Sequence, residues 1–199
     1  MRAIPFLLLL LFIPFLFQAC HKAGQDEPIP PPVPAATDFT KYTIRKGQQY
    51  CDPNSLILGS WEKLKFRFRF DSSARYQTKD PSNQEDVNKL IGFSDNNQQH
   101  HQYSARFGWN WSRDSLRLYA YVYNNSVFTF KEISALAIDR EYTASIQVEA
   151  GDYRFTLGQI LVSLPRESKT KKAEGYKLFP YFGGDEAAPH DISIWIKEE

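Results

Sequence analysis

Between Trp61 and Phe70 apolar and basic residues alternate. In WEKLKFRFRF, Leu64, Phe66, Phe68 and Phe70 fall on one side of an extended chain, and Lys63, Lys65, Arg67 and Arg69 on the other. Successive side chains of a strand point to opposite faces, so this stretch predicts a half-buried antiparallel strand. The same period groups Ala105, Phe107, Trp109 and Trp111 in SARFGWNW, and Leu116, Leu118, Ala120 and Val122 in SLRLYAYVY. It groups Tyr142, Ala144, Ile146 and Val148 in EYTASIQV, and Ile192, Ile194 and Ile196 in DISIWI. DYRFTLGQILVSL predicts two strands joined at Gly158-Gln159, a loop length suited to a tight hairpin. SNQEDVNKLIG departs from the pattern. Ser82 and Glu85 have capping-box spacing, Val87, Leu90 and Ile91 recur at helical spacing, and Gly92 can end the turn, which predicts one short helix over Asn83 to Ile91. No repeat of 20 to 50 residues is visible, which argues against propellers and solenoids. Many short strands with one short helix predict an all-β domain, an antiparallel β-sandwich or jelly roll.

The segment Ser104 to Tyr123 predicts a hairpin with its turn at Arg113-Asp114. That register sets Trp111 opposite Leu116, Trp109 opposite Leu118 and Phe107 opposite Ala120, so every apolar position meets on one face. The other face pairs Asn110 with Arg117, Gly108 with Tyr119 and Arg106 with Tyr121, and Tyr123 continues the row. Gly108 would leave room beside Tyr119. Aromatic rings can cover the apolar face of a sugar while arginine and asparagine bond to its hydroxyls, and ligand pockets combine such walls with a few placed polar groups. Arg106, Asn110, Arg117, Tyr119, Tyr121 and Tyr123 are therefore the candidate ligand-binding residues. Tyrosines are also favoured in strands for their own sake and can lie beneath a second layer. Both readings stay open from sequence.

Charge and the ends narrow the setting. The chain has 24 basic and 23 acidic residues, so its formal net charge of +1 gives no polyanion signature and no expectation of nucleic acid as a partner. Arg2 followed by the apolar run Phe6 to Phe17 reads as a signal peptide over residues 1–19. Its end, LFQAC, resembles the lipobox of bacterial lipoproteins, although Phe17 and Gln18 are unusual for that motif. The resemblance implies lipidation of Cys20, an N-terminal anchor in a lipid membrane, and Cys51 as the one remaining thiol. Residues 20–38 then form a proline-rich, semi-rigid tether before a β-sandwich domain over 39–199. GQDE, just after the anchor, resembles the signal that sends lipoproteins to the outer face of the outer membrane.

REYTASIQVEAGDYRFTLGQILVSLPR resembles the strand-turn-strand core of the concanavalin A-like lectin/glucanase superfamily. YKLFPYFGGDEAAPHDISIWI is similar to the closing strands of that fold in small bacterial surface lipoproteins. The superfamily hosts lectins, hydrolases and lyases, so the resemblance implies a fold without choosing an activity. The paired-carboxylate strand of jelly-roll glucanases, E-x-D-x-E, is absent: AIDRE offers only Asp139 and Glu141. Of the three strand motifs of jelly-roll alginate-type lyases, only Q-x-H is matched, by Gln98-Gln99-His100 within a polar run.

No catalytic residue, metal ligand or cofactor is assigned. The expected function is a cell-envelope lipoprotein whose jelly-roll domain binds glycan or polysaccharide without cleaving it. One alternative is a polysaccharide lyase or glycoside hydrolase with His100, Tyr103 and Arg106 around a cleft. Another is a structural subunit of a surface assembly. Asp95 with Asn96 and Asn97, or Asp185, Glu186 and Asp191, could hold calcium, but neither group has an EF-hand pattern. GGDEAAPHD, Gly183 to Asp191, is read as the connector that delivers the final core strand.

Overall fold

The computed structural model describes residues 38–199. The readings that fall on residues 1–37, the leader, Cys20 and the proline-rich tether, lie outside them. No described helix is long and apolar enough to cross a membrane.

Thirteen strands run in chain order: β1 Thr40–Ile44, β2 Cys51–Asp52, β3 Leu58–Trp61, β4 Lys63–Phe70, β5 Asn88–Ser94, β6 Ser104–Ser112, β7 Ser115–Asn124, β8 Val127–Leu136, β9 Tyr142–Glu149, β10 Asp152–Leu157, β11 Ile160–Pro165, β12 Ala173–Leu178 and β13 Ile192–Glu198. They form a seven-stranded sheet, β11-β10-β9-β4-β13-β1-β2, and a six-stranded sheet, β3-β12-β5-β6-β7-β8. All pairings between these strands are antiparallel. The all-β sandwich expected from the alternating pattern is the fold of the domain.

The alternating apolar positions are the core. Phe66, Phe68 and Phe70 of β4 are buried, while Lys63 and Lys65 stay in water. From the facing sheet Phe107 meets Phe66 edge-on at 5.5 Å between ring centroids, and Trp109 meets Phe70 at 5.0 Å. Phe155 closes on Phe107 at 5.2 Å. Each fully buried aromatic of this kind is worth roughly 1.5–3 kcal/mol of transfer free energy. Edge-to-face contacts add about 0.5–1.5 kcal/mol per pair.

The β6–β7 hairpin has the expected register: Trp111 pairs with Leu116, Trp109 with Leu118 and Arg106 with Tyr121. Arg113 and Asp114 both have positive φ (50° and 55°), as a two-residue turn matched to strand twist requires. Gly158-Gln159 joins β10 to β11 as expected.

The helix expected over Asn83 to Ile91 is not there. A short 3-10 turn, Pro81–Asn83, is capped by Asp80, whose carboxylate accepts from the Ser82 N–H. The chain then enters β5. A bulge between Lys89 and Ile91 sends both Leu90 and Ile91 into the core, while Val87 packs on the opposite face with Tyr119 and Tyr121. That bulge reproduces the 87-90-91 spacing of an amphipathic helix. Every residue of β5 is buried, so its sequence shows no strand-like alternation.

One buried ion pair ties a long loop to the sandwich. The Asp95 carboxylate accepts from Arg166 Nε (2.8 Å), Tyr153 Oη (2.5 Å), Ser168 Oγ (3.0 Å), Thr170 Oγ1 (3.1 Å) and the Glu174 N–H (3.2 Å). Burial alone would raise the Asp95 pKa, but Arg166, Tyr153 and the Asn96 N–H outweigh it and hold the pKa below the usual carboxylate range. Those oxygens are occupied by protein donors, so the candidate calcium ligand is a structural lock.

Candidate functional site: an aromatic cleft with a cationic floor

The outward face of the six-stranded sheet forms the floor of a cleft of about 870 Å³. Strand register builds the floor. Across the sheet, Phe130 pairs with Tyr121, Tyr121 with Arg106, Arg106 with Gly92 and Gly92 with Leu178. A β-carbon at Gly92 would lie 2.7 Å from Arg106 Cα and 2.8 Å from its Cγ, so the absent side chain lets Arg106 lie across β5. Lys89, beside Gly108 on β6, is held by backbone bonds in both directions with Tyr181.

The structure separates the six candidate residues. Arg106, Tyr121 and Tyr123 line the cleft. Asn110 and Tyr119 lie beneath the segment that precedes β5: the Tyr119 hydroxyl donates to Asn110 Oδ1 (3.1 Å), and Asn110 Nδ2 donates to the Glu85 carbonyl (3.1 Å). The space expected beside Gly108 is filled by Val87, whose Cγ1 would be 2.4 Å from a β-carbon there. Arg117 sits toward the hairpin turn, paired with Glu132 at 2.6 Å.

Sequence reasoning missed much of the lining. Phe128 and Phe130 of β8 are 52% and 46% exposed. Their rings lie nearly parallel to Tyr121, at 5.8 and 6.0 Å, so the tyrosine row continues as a four-ring aromatic band through Tyr123. The signal was present in SVFTF as alternate aromatics. Tyr176, Tyr181 and Tyr50 form the opposite wall, with Tyr50 and Tyr181 in edge contact at 5.0 Å.

The polar groups converge on one ring. Lys89 Nζ lies 4.2 Å from the Tyr121 centroid and Arg106 Cζ 5.6 Å. Burial, with Arg106 nearby, pushes the Lys89 ammonium down to about 7; Asp86 acts in the opposite direction. Burial also lowers Arg106, which stays cationic at neutral pH. Burial, then Arg106, His101 and Lys89, push the His100 ring down to about 4. His100 Nδ1 is 2.8 Å from the Tyr176 hydroxyl, which also accepts from the His100 N–H at 3.0 Å. His100 and Arg106 share the cleft, whereas Tyr103 does not line it.

The thiol of Cys51 and the polar side chains of the GGDEAAPHD connector have local duties. Cys51 is buried, and burial pushes its thiol up to about 12, far from the thiolate a nucleophile needs. Glu186 accepts from the N–H groups of Lys79 and Asp80 (both 2.8 Å), and Asp191 accepts from the Lys46 N–H (2.8 Å). His190 Nε2 donates to the distant Ser73 carbonyl at 2.8 Å. The GGDEAAPHD connector thus pins three loops, and Asp185 faces the cleft rim.

No family model matches the chain, and no curated protein matches it. Solved structures do. The alginate lyase AlyC3 superposes over 81% of this chain and 74% of its own, with TM-score 0.52 and 7% identity. A family 16 endo-glucanase from Bacteroides ovatus superposes over 81% and 80%, with TM-score 0.50 and 9% identity. At these identities the likeness shows the fold alone, a jelly-roll β-sandwich.

Proposed function

We propose that the domain binds a polysaccharide chain in the aromatic cleft without cleaving it, and that Cys20 carries lipid anchoring the protein to the outer membrane, with the domain toward the cell surface. The observation that carries the binding reading is the band Phe128, Phe130, Tyr121 and Tyr123, beside buried donors in an open cleft. Stacked rings suit sugar faces, and a few fixed donors set orientation. Support also comes from the fold neighbours, since AlyC3 has been seen with dimannuronate and the glucanase with an oligosaccharide ligand.

Gel-retardation electrophoresis against a panel of neutral and acidic polysaccharides tests the reading. Retardation that falls about tenfold in affinity in Phe128→Ala and Tyr121→Ala, a loss of about 1.4 kcal/mol, is expected. Absence of retardation by every polymer, together with recovery of a stable protein partner, would favour a structural subunit instead. Loss of metabolic lipid labelling in Cys20→Ala tests the anchor.

A second reading, cleavage of the bound chain, is favoured by the His100–Tyr176 pair. A ring kept neutral beside a tyrosine hydroxyl could take part in proton transfer. Appearance of unsaturated uronide or new reducing ends on incubation, lost in His100→Ala, would establish it.

A further inference from the structure

We infer that the cleft selects an anionic sugar, one bearing a carboxylate or sulfate group, and that Arg106 and Lys89 receive its charge. The inference rests on the glycan reading of the cleft and narrows it to a ligand class.

The argument starts from two cations that the protein leaves unbalanced. Arg106 is 5% exposed and Lys89 8%. Among the described residues neither forms an ion pair, and Arg106 Nε has no hydrogen-bond partner. Lys89 Nζ donates to the Val87 carbonyl. Both sit against the same neutral Tyr121 ring, which softens two positive charges but cancels neither. Burying a charge without a partner is costly, and two like charges facing one cavity compound the cost.

The same domain shows what a structural buried arginine looks like. Arg166 bonds in the interior to Asp95, Ser168, Thr170 and the Lys172 carbonyl. Arg106 has no such set, although Glu85, Asp86 and Asp185 line the same cleft. The acids stand outside ion-pair reach of both cations. Space for a counter-charge therefore remains at the floor, open to the cleft. A guanidinium offers parallel donors to the paired oxygens of a carboxylate or sulfate, and the ammonium adds a point charge beside it. The aromatic band then lies where the rest of the sugar chain would run.

The test uses the tethered domain at fixed ionic strength, with a polyuronate, a sulfated galactan and an uncharged β-glucan of matched length. The expected result is binding of one or both acidic polymers at least tenfold tighter than the neutral one, lost in Arg106→Gln and weakened in Lys89→Met. The polyuronate and sulfated arms tell the two anion sources apart. Equal binding of the neutral polymer, unchanged in Arg106→Gln, would overturn the anionic assignment while leaving a glycan site. Nitrogen-15 NMR titration with glucuronate, inorganic sulfate and glucose separates the failures. Glucuronate or sulfate should move the Arg106 Nε–Hε signal where glucose does not. That shift without any polymer binding would keep the anion site and remove the polysaccharide reading; no shift with either anion would overturn the inference. Near-ultraviolet circular dichroism of both variants checks that they are folded.

Discussion

His100 and Tyr176 meet through both the ring and the backbone of the histidine: Nδ1 lies 2.8 Å from the tyrosine hydroxyl, and the His100 N–H donates to the same oxygen at 3.0 Å. Tyr176 Oη also reaches Gln99 Oε1 at 3.2 Å. Its single hydrogen can serve only one acceptor at a time, so the tautomer of His100 and the direction of the tyrosine bond are set together.

His100 therefore stays neutral far below the usual histidine range. Burial lowers its pKa to about 4, helped by Arg106, His101 and Lys89. Its folded pKa is depressed, so the unfolded chain takes up the proton first as pH falls. Stability should be retained above about pH 6.5 and decline from there toward pH 4. After allowance for its partial exposure, His100 should account for on the order of 1–2 kcal/mol of that loss. Urea midpoints at pH 7 and pH 4.5 for the native protein and His100→Gln measure it, and a parallel decline in both would contradict the assignment.

Removing Arg106 should stabilise the fold. A buried cation without a partner weakens the native state, and a methionine of similar length fills its space. Arg106→Met is expected to gain about 1–3 kcal/mol and a higher Tm while losing acidic-glycan affinity. A structural arginine would give the opposite sign, as a calorimetric scan would show.

Binding of an acidic sugar should carry a proton with it. Lys89 is lowered to about 7 by burial and by Arg106 from β6, against Asp86 from the preceding loop; Tyr121 of β7 and the Tyr181 backbone also face it, and His101 lies near. A bound anion favours the charged ammonium, so at pH 8 complex formation should take up a proton, and at pH 6 almost none. Affinity should weaken as pH rises from 7 to 9, by at most about tenfold per unit. Calorimetric titration at pH 8 in Hepes and in Tris reads the uptake; identical heats would exclude it.

Breaking the Asp95–Arg166 pair should be among the most damaging single changes. Asp95→Ala leaves a buried guanidinium and the hydroxyls of Tyr153, Ser168 and Thr170 without this acceptor, with an expected loss of about 3–5 kcal/mol. Hydrogen exchange across residues 166–172 should rise sharply in that variant. Asp95 has a lowered folded pKa, so its contribution holds above the ordinary carboxylate range and is lost as pH falls through the folded value.

Much of the sandwich was legible because β4 and β10 bury alternate residues, and because apolar residues alternate with mostly polar or tyrosine positions along β6, β7, β9 and β13 even where the second face is also covered. Hairpin register followed from requiring Trp109, Trp111 and Phe107 to share a side with Leu118, Leu116 and Ala120. β5 was illegible as a strand because it is buried on both faces and bulged, which imitates helical spacing. The cleft was half legible. Arg106, Tyr121 and Tyr123 lie on a face that local pairing defines. Lys89, His100, Tyr176 and Tyr181 reach it from other segments, and only the sheet order brings those segments together. Local pairing also could not show that the segment before β5 covers Asn110 and Tyr119.

Strand β13 lies between β4 and β1 in the seven-stranded sheet, pairing Ile194 with Tyr42 on one side and with Phe70 on the other. During synthesis, β1 and one flank of β4 must wait for about 150 and 120 later residues respectively before their shared neighbour exists. At 5–20 residues per second that is on the order of ten to thirty seconds. Throughout that interval Phe66, Phe68 and Phe70 have an unfinished sheet to hold them. The sandwich is thus kept from early closure by its own strand order, a property that suits the export proposed above.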